Sequence, residues 1–442
     1  MFKRKIYKDL MEWKTNSNGK TALLVEGARR VGKSTIVEEF AKNEYRSYIL
    51  IDFAFAPKAI KDLFDDLHDL DYFFLQLQLQ YGVDLHERDS LIIFDEVQFN
   101  PLARQAIKRL VADGRYDYIE TGYLISIKKN VQDILIPSEE RRIEMFPMDF
   151  EEFLWAIGDE TTNNLLKQAF DQGISLGDDQ NHNMMKKFRL YMLVGGMPQA
   201  VKTYVEENNF RIVDDVKRDI LNLYMEDFYK IDPTGKISLL FESIPAELAR
   251  NSSRYQVSSV LNNHRASSIM EELAELKASK TVLFAYNADD PNVGLSSNLN
   301  LDKFKIYLAD TGLMVSLMFK DKDFTENLIY KKLLANNLSK NLGMVYENVI
   351  AQTLAFNRHK LYFNSYYDKD QKRTFEVDFL LTDKNKINPI EVKSSNYRAH
   401  RSLDEFSKKY SDRIGKEYII HTKDYRKDGN IIKIPFYMAQ FL

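Results

Sequence analysis

Apolar and polar positions follow a block pattern through the first 120 residues. Residues 21–26 form a short apolar run that predicts a buried strand, with a Gly-rich turn after it and a helical stretch over 34–42. Runs over 48–53, 91–94 and 116–120 predict three further strands, separated by helical stretches over 58–81 and 101–112. Strands alternating with helices imply a mostly parallel sheet covered on both faces, hence an α/β fold class. A boundary is expected near 142–153, after which helices dominate to about 340. Within that region a helix, a turn and a helix lead to strands at 281–286 and 304–308, with a polar loop over 287–300. This is the outline of a winged helix. From 343 the pattern changes again: an amphipathic helix over 344–356, strands over 361–364, 376–381, 389–392 and 417–421, and a helix near 402–409.

Composition narrows the chemistry. The 442 residues contain no Cys, which excludes disulfides, thiolate metal sites and a Cys nucleophile, and seven scattered His give little for a His-based site. No apolar run approaches the roughly 18 residues that would cross a bilayer. The first 20 residues are basic and polar with no apolar core, so no signal peptide is expected, and the expected location is cytoplasmic, away from membranes. The formal net charge is −3. From 341 to 442, however, 18 Lys+Arg stand against 13 Asp+Glu, a balance of +5 compatible with a polyanionic partner.

The strongest motif is Gly27-Ala28-Arg29-Arg30-Val31-Gly32-Lys33-Ser34, a full G-x-x-x-x-G-K-[ST] between a strand and a helix. The glycines let consecutive N–H groups turn toward phosphate oxygens, and the helix N-terminus adds positive potential. Lys33 is expected to reach the β- and γ-phosphates of ATP, Ser34 to offer its hydroxyl to Mg²⁺, and Thr35 to complete the binding segment. Residues 91–94 run into Asp95 and Glu96; Asp95 is expected near the Mg²⁺ shell, with Glu96 polarising the attacking water. Thr121 can sense the γ-phosphate, Gln98 can orient water, and Arg141 or Arg142 can supply an arginine finger.

A second constellation lies near the end. Asp378, Glu391 and Lys393 make a D…E-x-K pattern on adjacent strands, as in metal-dependent nucleases. In an extended strand Glu391 and Lys393 share a face, and Asp378 can join them. Two carboxylates suit a hard cation such as Mg²⁺, and a lysine beside them can hold a water. Glu347 on the preceding helix can add a water-mediated contact, while Glu376 is expected on the opposite face from Asp378. A hairpin with a structural ion pair would give the same residues.

Together these motifs resemble a prokaryotic AAA-type P-loop ATPase family whose C-terminal domain, of uncharacterised function, is read as restriction-endonuclease-like. The resemblance extends through Thr121-Gly122, where Tyr123 replaces the usual Ser, and through Arg142 with 146–154 at the domain junction. It continues through Val194-Gly195-Gly196-Met197-Pro198, Ile244-Pro245-Ala246-Glu247-Leu248, Asp310-Thr311-Gly312-Leu313 and Gly343 with Tyr346-Glu347-Asn348. It implies an AAA-type ATPase domain over 1–155, a helical, winged-helix-like region over 156–340 and a restriction-endonuclease-like domain over 341–442. The expected function is an ATPase coupled to a domain that binds or cleaves DNA. The alternative is an ATP-controlled switch that binds a protein partner, or a further copy of itself, without cleavage. A helicase-like or transport motor ranks last, since further motor motifs are missing.

Overall fold

In the computed structural model, which describes every residue except 123–133, 251, 263, 293, 323–333, 335–342 and 396–397, five strands build the N-terminal sheet. They are β1 (Ala22–Glu26), β2 (Ser47–Asp52), β3 (Ser90–Asp95), β4 (Asp117–Gly122) and β5 (Glu140–Glu144). Their order is β2-β3-β4-β1-β5, and every pairing is parallel. β3 and β4 are buried along their whole length, as expected for central strands of a covered parallel sheet. Helices α1 (Ile6–Ser17), α2 (Lys33–Glu44), α3 (Lys58–Asp62), α4 (Leu70–Tyr81) and α5 (Pro101–Asp113) complete this part.

Two departures from the sequence pattern have local causes. The helical stretch over 58–81 is broken into α3 and α4, because Asp69 caps the second helix and accepts a hydrogen bond from Tyr72 N at 2.9 Å. The strand β5 is absent from the sequence pattern. Its residues, Glu-Arg-Arg-Ile-Glu, carry no apolar alternation, yet it lies at a sheet edge beside β1, where exposed charge is tolerated.

The chain divides into two compact units, Met1–Phe146 with Ala278–Lys280, and Pro147–Lys277 with Thr281–Leu442. The second unit opens with a capping box. Asp149 accepts from Glu152 N at 2.8 Å, and Glu152 accepts from Asp149 N at 3.2 Å. That explains the Asp-Phe-Glu-Glu stretch of the junction. Helices follow, among them Asp178–Val194, Pro198–Glu207 and the long Phe210–Ile231. Helices Ile244–Ala249, Val257–Val260 and Met270–Ala278 then precede an antiparallel hairpin of β6 (Val282–Ala288) and β7 (Leu299–Leu308). Helices thus precede an antiparallel hairpin in chain order, but the hairpin is not a free wing. β6 also pairs in parallel with β8 (Leu361–Asp368), and β8 pairs with β9 (Arg373–Val377), giving a sheet β7-β6-β8-β9. The middle and end of the sequence therefore share one sheet.

A second sheet, β10-β11-β12-β14-β13, is built from β10 (Phe379–Asp383), β11 (Lys386–Lys393), β12 (Glu417–His421), β13 (Arg426–Asp428) and β14 (Ile431–Pro435). The strand expected over 376–381 is thus two strands. Asp378 stands at the bend where the chain passes from one sheet to the other. Among the described residues no helix is long and apolar enough to cross a membrane.

Three signature segments meet in a buried polar junction of the second unit. Asp310 caps helix Thr311–Met318, accepting from Leu313 N at 2.8 Å, while its other oxygen accepts from Gly196 N at 2.6 Å. Met148 N donates to Gly196 O at 2.6 Å. The wholly buried Lys217 donates to Leu193 O at 2.8 Å and Gly312 O at 3.2 Å. Gln352, on helix Gly343–Phe356, accepts from Thr311 N and its hydroxyl and donates to Tyr191 Oη at 2.6 Å. The glycines are there because backbone passes backbone: a Cβ on Gly196 would lie 2.0 Å from Met148 O, and one on Gly312 2.5 Å from Gly195 Cα.

Candidate functional site

The phosphate-loop sequence forms a turn between β1 and α2. Gly27 (φ 158°), Arg30 (φ 69°) and Gly32 (φ 98°) all take positive φ, and Gly32 caps α2. Gly27 is held close to its neighbour: a Cβ there would come within 2.2 Å of Met145 O. Lys33 opens the helix, is buried, and donates to the carbonyls of Gly27 at 3.1 Å and Ala28 at 3.0 Å. Burial lowers its pKa to about 8, against the opposing pull of Glu96 and Asp95. Ala28 and Val31 are buried, Arg29 is half-buried, and Arg30 and Thr35 are exposed.

The sheet order places β4 between β1 and β3, so the ends of three strands converge. Asp95 ends β3 and Thr121 lies near the end of β4. One oxygen of Asp95 accepts from Ser34 Oγ at 2.8 Å and from the Thr121 hydroxyl. Glu96 follows in a left-handed conformation (φ 53°), with its backbone N–H 3.4 Å from Thr121 Oγ1. Its carboxylate accepts from Gln98 Nε2. Burial raises the Glu96 pKa, with Gln98 and Lys33 pulling it back. Ser34, Asp95, Glu96, Gln98 and Thr121, from three segments of sequence, thus meet at one end of the sheet. The Ser34 hydroxyl and Asp95 carboxylate are hard oxygen donors in hydrogen-bonding contact, a donor set that fits Mg²⁺.

Arg4, which carries no motif signal, is buried before α1 and clasps this loop. It donates to Val31 O at 2.8 Å and to Phe146 O at 2.6 Å. Nothing in the sequence sets it apart from Lys3 and Lys5 on either side.

Arg142 lies on β5 in register with Leu24, two residues before the end of β1. It is exposed, and its Nε donates to Glu140 at 2.8 Å. Arg104 grips the same carboxylate with two hydrogen bonds of 2.8 Å. Arg141 is exposed. Tyr123 lies outside the described residues.

Beside this pair sits Glu120, fully buried in β4. Burial pushes its pKa well above the carboxylate range, Glu140 adds to the shift and Arg104 opposes it. A raised folded-state pKa means that the folded chain keeps a proton that the unfolded chain has released. The stabilisation from this group is complete below the unfolded pKa and is lost as pH rises toward the folded one. Glu120→Gln, neutral at every pH, is expected to melt above wild type at pH 8, with the gap closing toward pH 4. A gap in melting temperature that does not change with pH would contradict this account.

The C-terminal carboxylates also gather. Glu391 is buried, and its Oε1 lies 2.5 Å from Lys393 Nζ. Its Oε2 is buried and has no hydrogen-bond partner among the described residues. Asp378 Oδ2 accepts from Val392 N at 2.7 Å. Burial and the charges of Glu347 and Glu391 push the Asp378 pKa well up, and burial raises that of Glu391. A buried Lys305 on β7 enters from the middle region and bonds Glu347 at 2.9 Å and Glu376 at 2.7 Å. Tyr307 donates to Glu347 at 2.5 Å.

Glu376 therefore belongs to the same cluster as Glu347 and acts on Asp378, not on the opposite face. Positions two apart in a strand share a face. Among the described residues no three Asp, Glu or His side chains converge to hold a metal ion. The unpartnered Glu391 oxygen is the feature that fits a cation.

Comparison with known proteins reaches the part of the chain that carries the first of these sites. Residues 19–154 match the family model of an AAA domain. Residues 185–323 and 342–437 match two models described only as domains of unknown function, DUF8612 and DUF4143. No curated protein matches the chain. Among solved structures, the chain is similar to the Walker-type ATPase PABY2304 of Pyrococcus abyssi, at 16% identity and a TM-score of 0.44, covering 72% of this chain and 96% of that one. It is also similar to the Aeropyrum pernix ORC1 protein solved in complex with DNA, at 10% identity and a TM-score of 0.29, covering 76% and 93%. The N-terminal part is an AAA-type P-loop ATPase domain.

Proposed function

We propose that this chain is an ATPase in which nucleotide binding and hydrolysis at the Gly27–Ser34 loop control a nuclease-like C-terminal domain acting on DNA. The observation that carries the ATPase reading is the meeting of Ser34 and Thr121 on one oxygen of Asp95, beside buried Lys33 and half-buried Glu96. In this reading the loop N–H groups and Lys33 bind the phosphates. Lys33 exchanges its two carbonyl partners for phosphate oxygens, whose charge favours its protonated form. Ser34 and Asp95 would hold Mg²⁺, which supplies charge neutralisation on the phosphates. Glu96, kept in place by Gln98, orients the attacking water and draws its proton. Thr121 links the γ-phosphate side of the site to Asp95. Arg142 serves as the arginine finger once released from Glu140.

The C-terminal reading rests on the order of elements: helix with Glu347, strands β8 to β11 with Asp378, Glu391 and Lys393, helix Arg401–Lys409, then β12. Asp378 and the open oxygen of Glu391 would hold Mg²⁺, and Lys393 would hold the hydrolytic water.

A second reading has its own support. Lys305 already neutralises Glu347 and Glu376, and Lys393 neutralises Glu391, as in a structural ion-pair cluster. This favours an ATP-controlled switch that engages a partner without cutting it.

ATP turnover measured with and without single- and double-stranded DNA separates the two. Turnover stimulated by DNA supports coupling, and slow turnover indifferent to DNA supports the switch. Asp378→Ala is expected to abolish Mg²⁺-dependent plasmid cleavage while leaving ATP turnover at the wild-type rate. Cleavage that persists in this variant removes Asp378 from the site.

A further inference from the structure

We infer that the outer face of the β8–β9 hairpin and helix Arg401–Lys409 is a docking strip for the phosphodiester backbone of a nucleic-acid strand, with Arg373, Arg401 and Lys409 as its phosphate contacts. The inference rests on the polynucleotide reading above and deepens it.

Cations and rings alternate along this strip. The guanidinium carbons of Arg373 and Arg401 lie 5.3 and 5.8 Å from the ring centre of Phe375, which is wholly buried beneath them. Tyr366 follows, its ring 5.9 Å from that of Phe375. Lys409 Nζ stands 3.7 Å over Tyr366 and 5.2 Å from the Tyr410 ring. Two separate elements, β9 and helix Arg401–Lys409, thus present their positive groups side by side.

The acids of the strip have nearer partners than its three cations, although Glu405 also feels the charge of Arg401. Glu405 pairs with Lys408 at 3.1 Å and accepts from Gln371. Asp404 pairs with His400 at 2.9 Å. None of Arg373, Arg401 and Lys409 has a carboxylate partner among the described residues, and Arg401 donates only to the neutral Gln371. At the far end Arg413 is closed off by Asp290 at 2.5 Å.

A ring beneath a cation pins it without neutralising it, at about 0.5–1 kcal/mol for an exposed pair. The charge stays available while the freedom lost on binding is smaller, which is what a phosphate contact needs. Three cations seated over neighbouring rings, none in an ion pair among the described residues, match a run of phosphates better than a single anion. The strip also leads to the D…E-x-K residues: His400 and Asp404, in and before the first turn of the helix that carries Arg401, act electrostatically on Glu391.

The test is fluorescence anisotropy of the full chain with labelled single- and double-stranded DNA of about 20 nucleotides, between about 50 and 200 mM salt. Wild type is expected to bind with a steep salt dependence. Arg373→Gln with Lys409→Gln is expected to lower the log–log slope by about 1.4 to 1.8, since each phosphate neutralised by the protein contributes about 0.7–0.9 to it. ATP turnover without DNA should stay at the wild-type rate. Arg373→Lys with Lys409→Arg should restore the slope, which separates the effect of charge from that of packing.

An unchanged slope in the glutamine variant, with wild type binding normally, overturns the strip and leaves the polynucleotide reading standing. No binding of either DNA by wild type at the lowest salt overturns that reading itself. Binding to phosphatidylserine vesicles that falls in step with DNA binding overturns the nucleic-acid assignment in favour of a lipid headgroup.

Discussion

Replacing Lys33 with alanine is expected to reduce ATP turnover by about 10²–10³-fold, the scale seen when one preorganised donor is removed from developing transition-state charge. Lys33 is the one buried cation of the loop motif, and its Nζ rests on the carbonyls of Gly27 and Ala28. Burial has already lowered its pKa to about 8, so the folded domain carries a poorly solvated charge that a phosphate relieves. Removing it should therefore leave the melting temperature close to wild type while nucleotide binding weakens sharply. Glu96→Gln provides the contrast. It keeps the hydrogen-bonding shape beside Gln98 but loses the base, so ATP should still bind while turnover falls. Phosphate release and binding of a fluorescent nucleotide, measured on all three proteins, decide the matter. Lys33→Ala turnover within about threefold of wild type would remove the loop from the mechanism, since even one neutral donor is worth more than that.

Gly312→Ala is the second large effect expected, and it concerns the fold. The added methyl would lie 2.5 Å from Gly195 Cα and 2.6 Å from its N, both backbone atoms that cannot swing aside. Relief requires parting the segment around Gly195 from helix Thr311–Met318. That would strain the Asp310 bond to Gly196 N and the Lys217 bonds to Leu193 O and Gly312 O. Lys217 is fully buried, so the departure of a carbonyl partner leaves its charge poorly compensated. A destabilisation of about 4 kcal/mol or more is expected, in the range that marks broken buried networks. Gly114→Ala calibrates the measurement. It has positive φ but nothing within 4 Å of the new atom, so it should cost only about 1–2 kcal/mol, the left-handed backbone penalty. Thermal unfolding of the full chain compares the two. Equal melting temperatures for both variants would mean that the junction yields where its geometry says it cannot.

The same junction explains segments that resembled a family signature without any chemistry attached. Gly196 and Asp310 are 114 residues apart, and nothing in either segment names the other. Their glycines are needed at a crossing of two backbones, and only the folded chain reveals which backbones cross. Met148, at the start of the second unit, joins the same crossing through Gly196 O and the Tyr191 hydroxyl at 2.9 Å.

Legibility varied with how local the cause was. The phosphate loop, Asp95 and the strands beneath them were readable because each needs only its own neighbours: an apolar run, a glycine turn, a helix start. The capping residues Asp69 and Asp149 also act within three positions. Of these only the first changes an expected element, splitting a helix that apolar content alone makes continuous. β5 escapes the pattern because its charges are satisfied at Glu140, by Arg104 on α5 and by its own Arg142, and because it lies at an edge. Glu376 shares a side with Asp378 because positions two apart in a strand face the same way, and Lys305 on β7 holds it there beside Glu347.

Amino-acid order was enough for the P-loop turn, the Mg²⁺-type donor pair that follows from it, and the parallel sheet, because these depend on periodicity and on contacts a few residues long. Three other features exist only in the packed chain: Arg4 clasps the loop from outside the motif, Lys305 reaches the C-terminal carboxylates from β7, and cations line up over rings along Arg401–Lys409. Each of these joins residues from separate elements. A buried charge must find compensation wherever the fold brings it, and the chain order does not say where that will be.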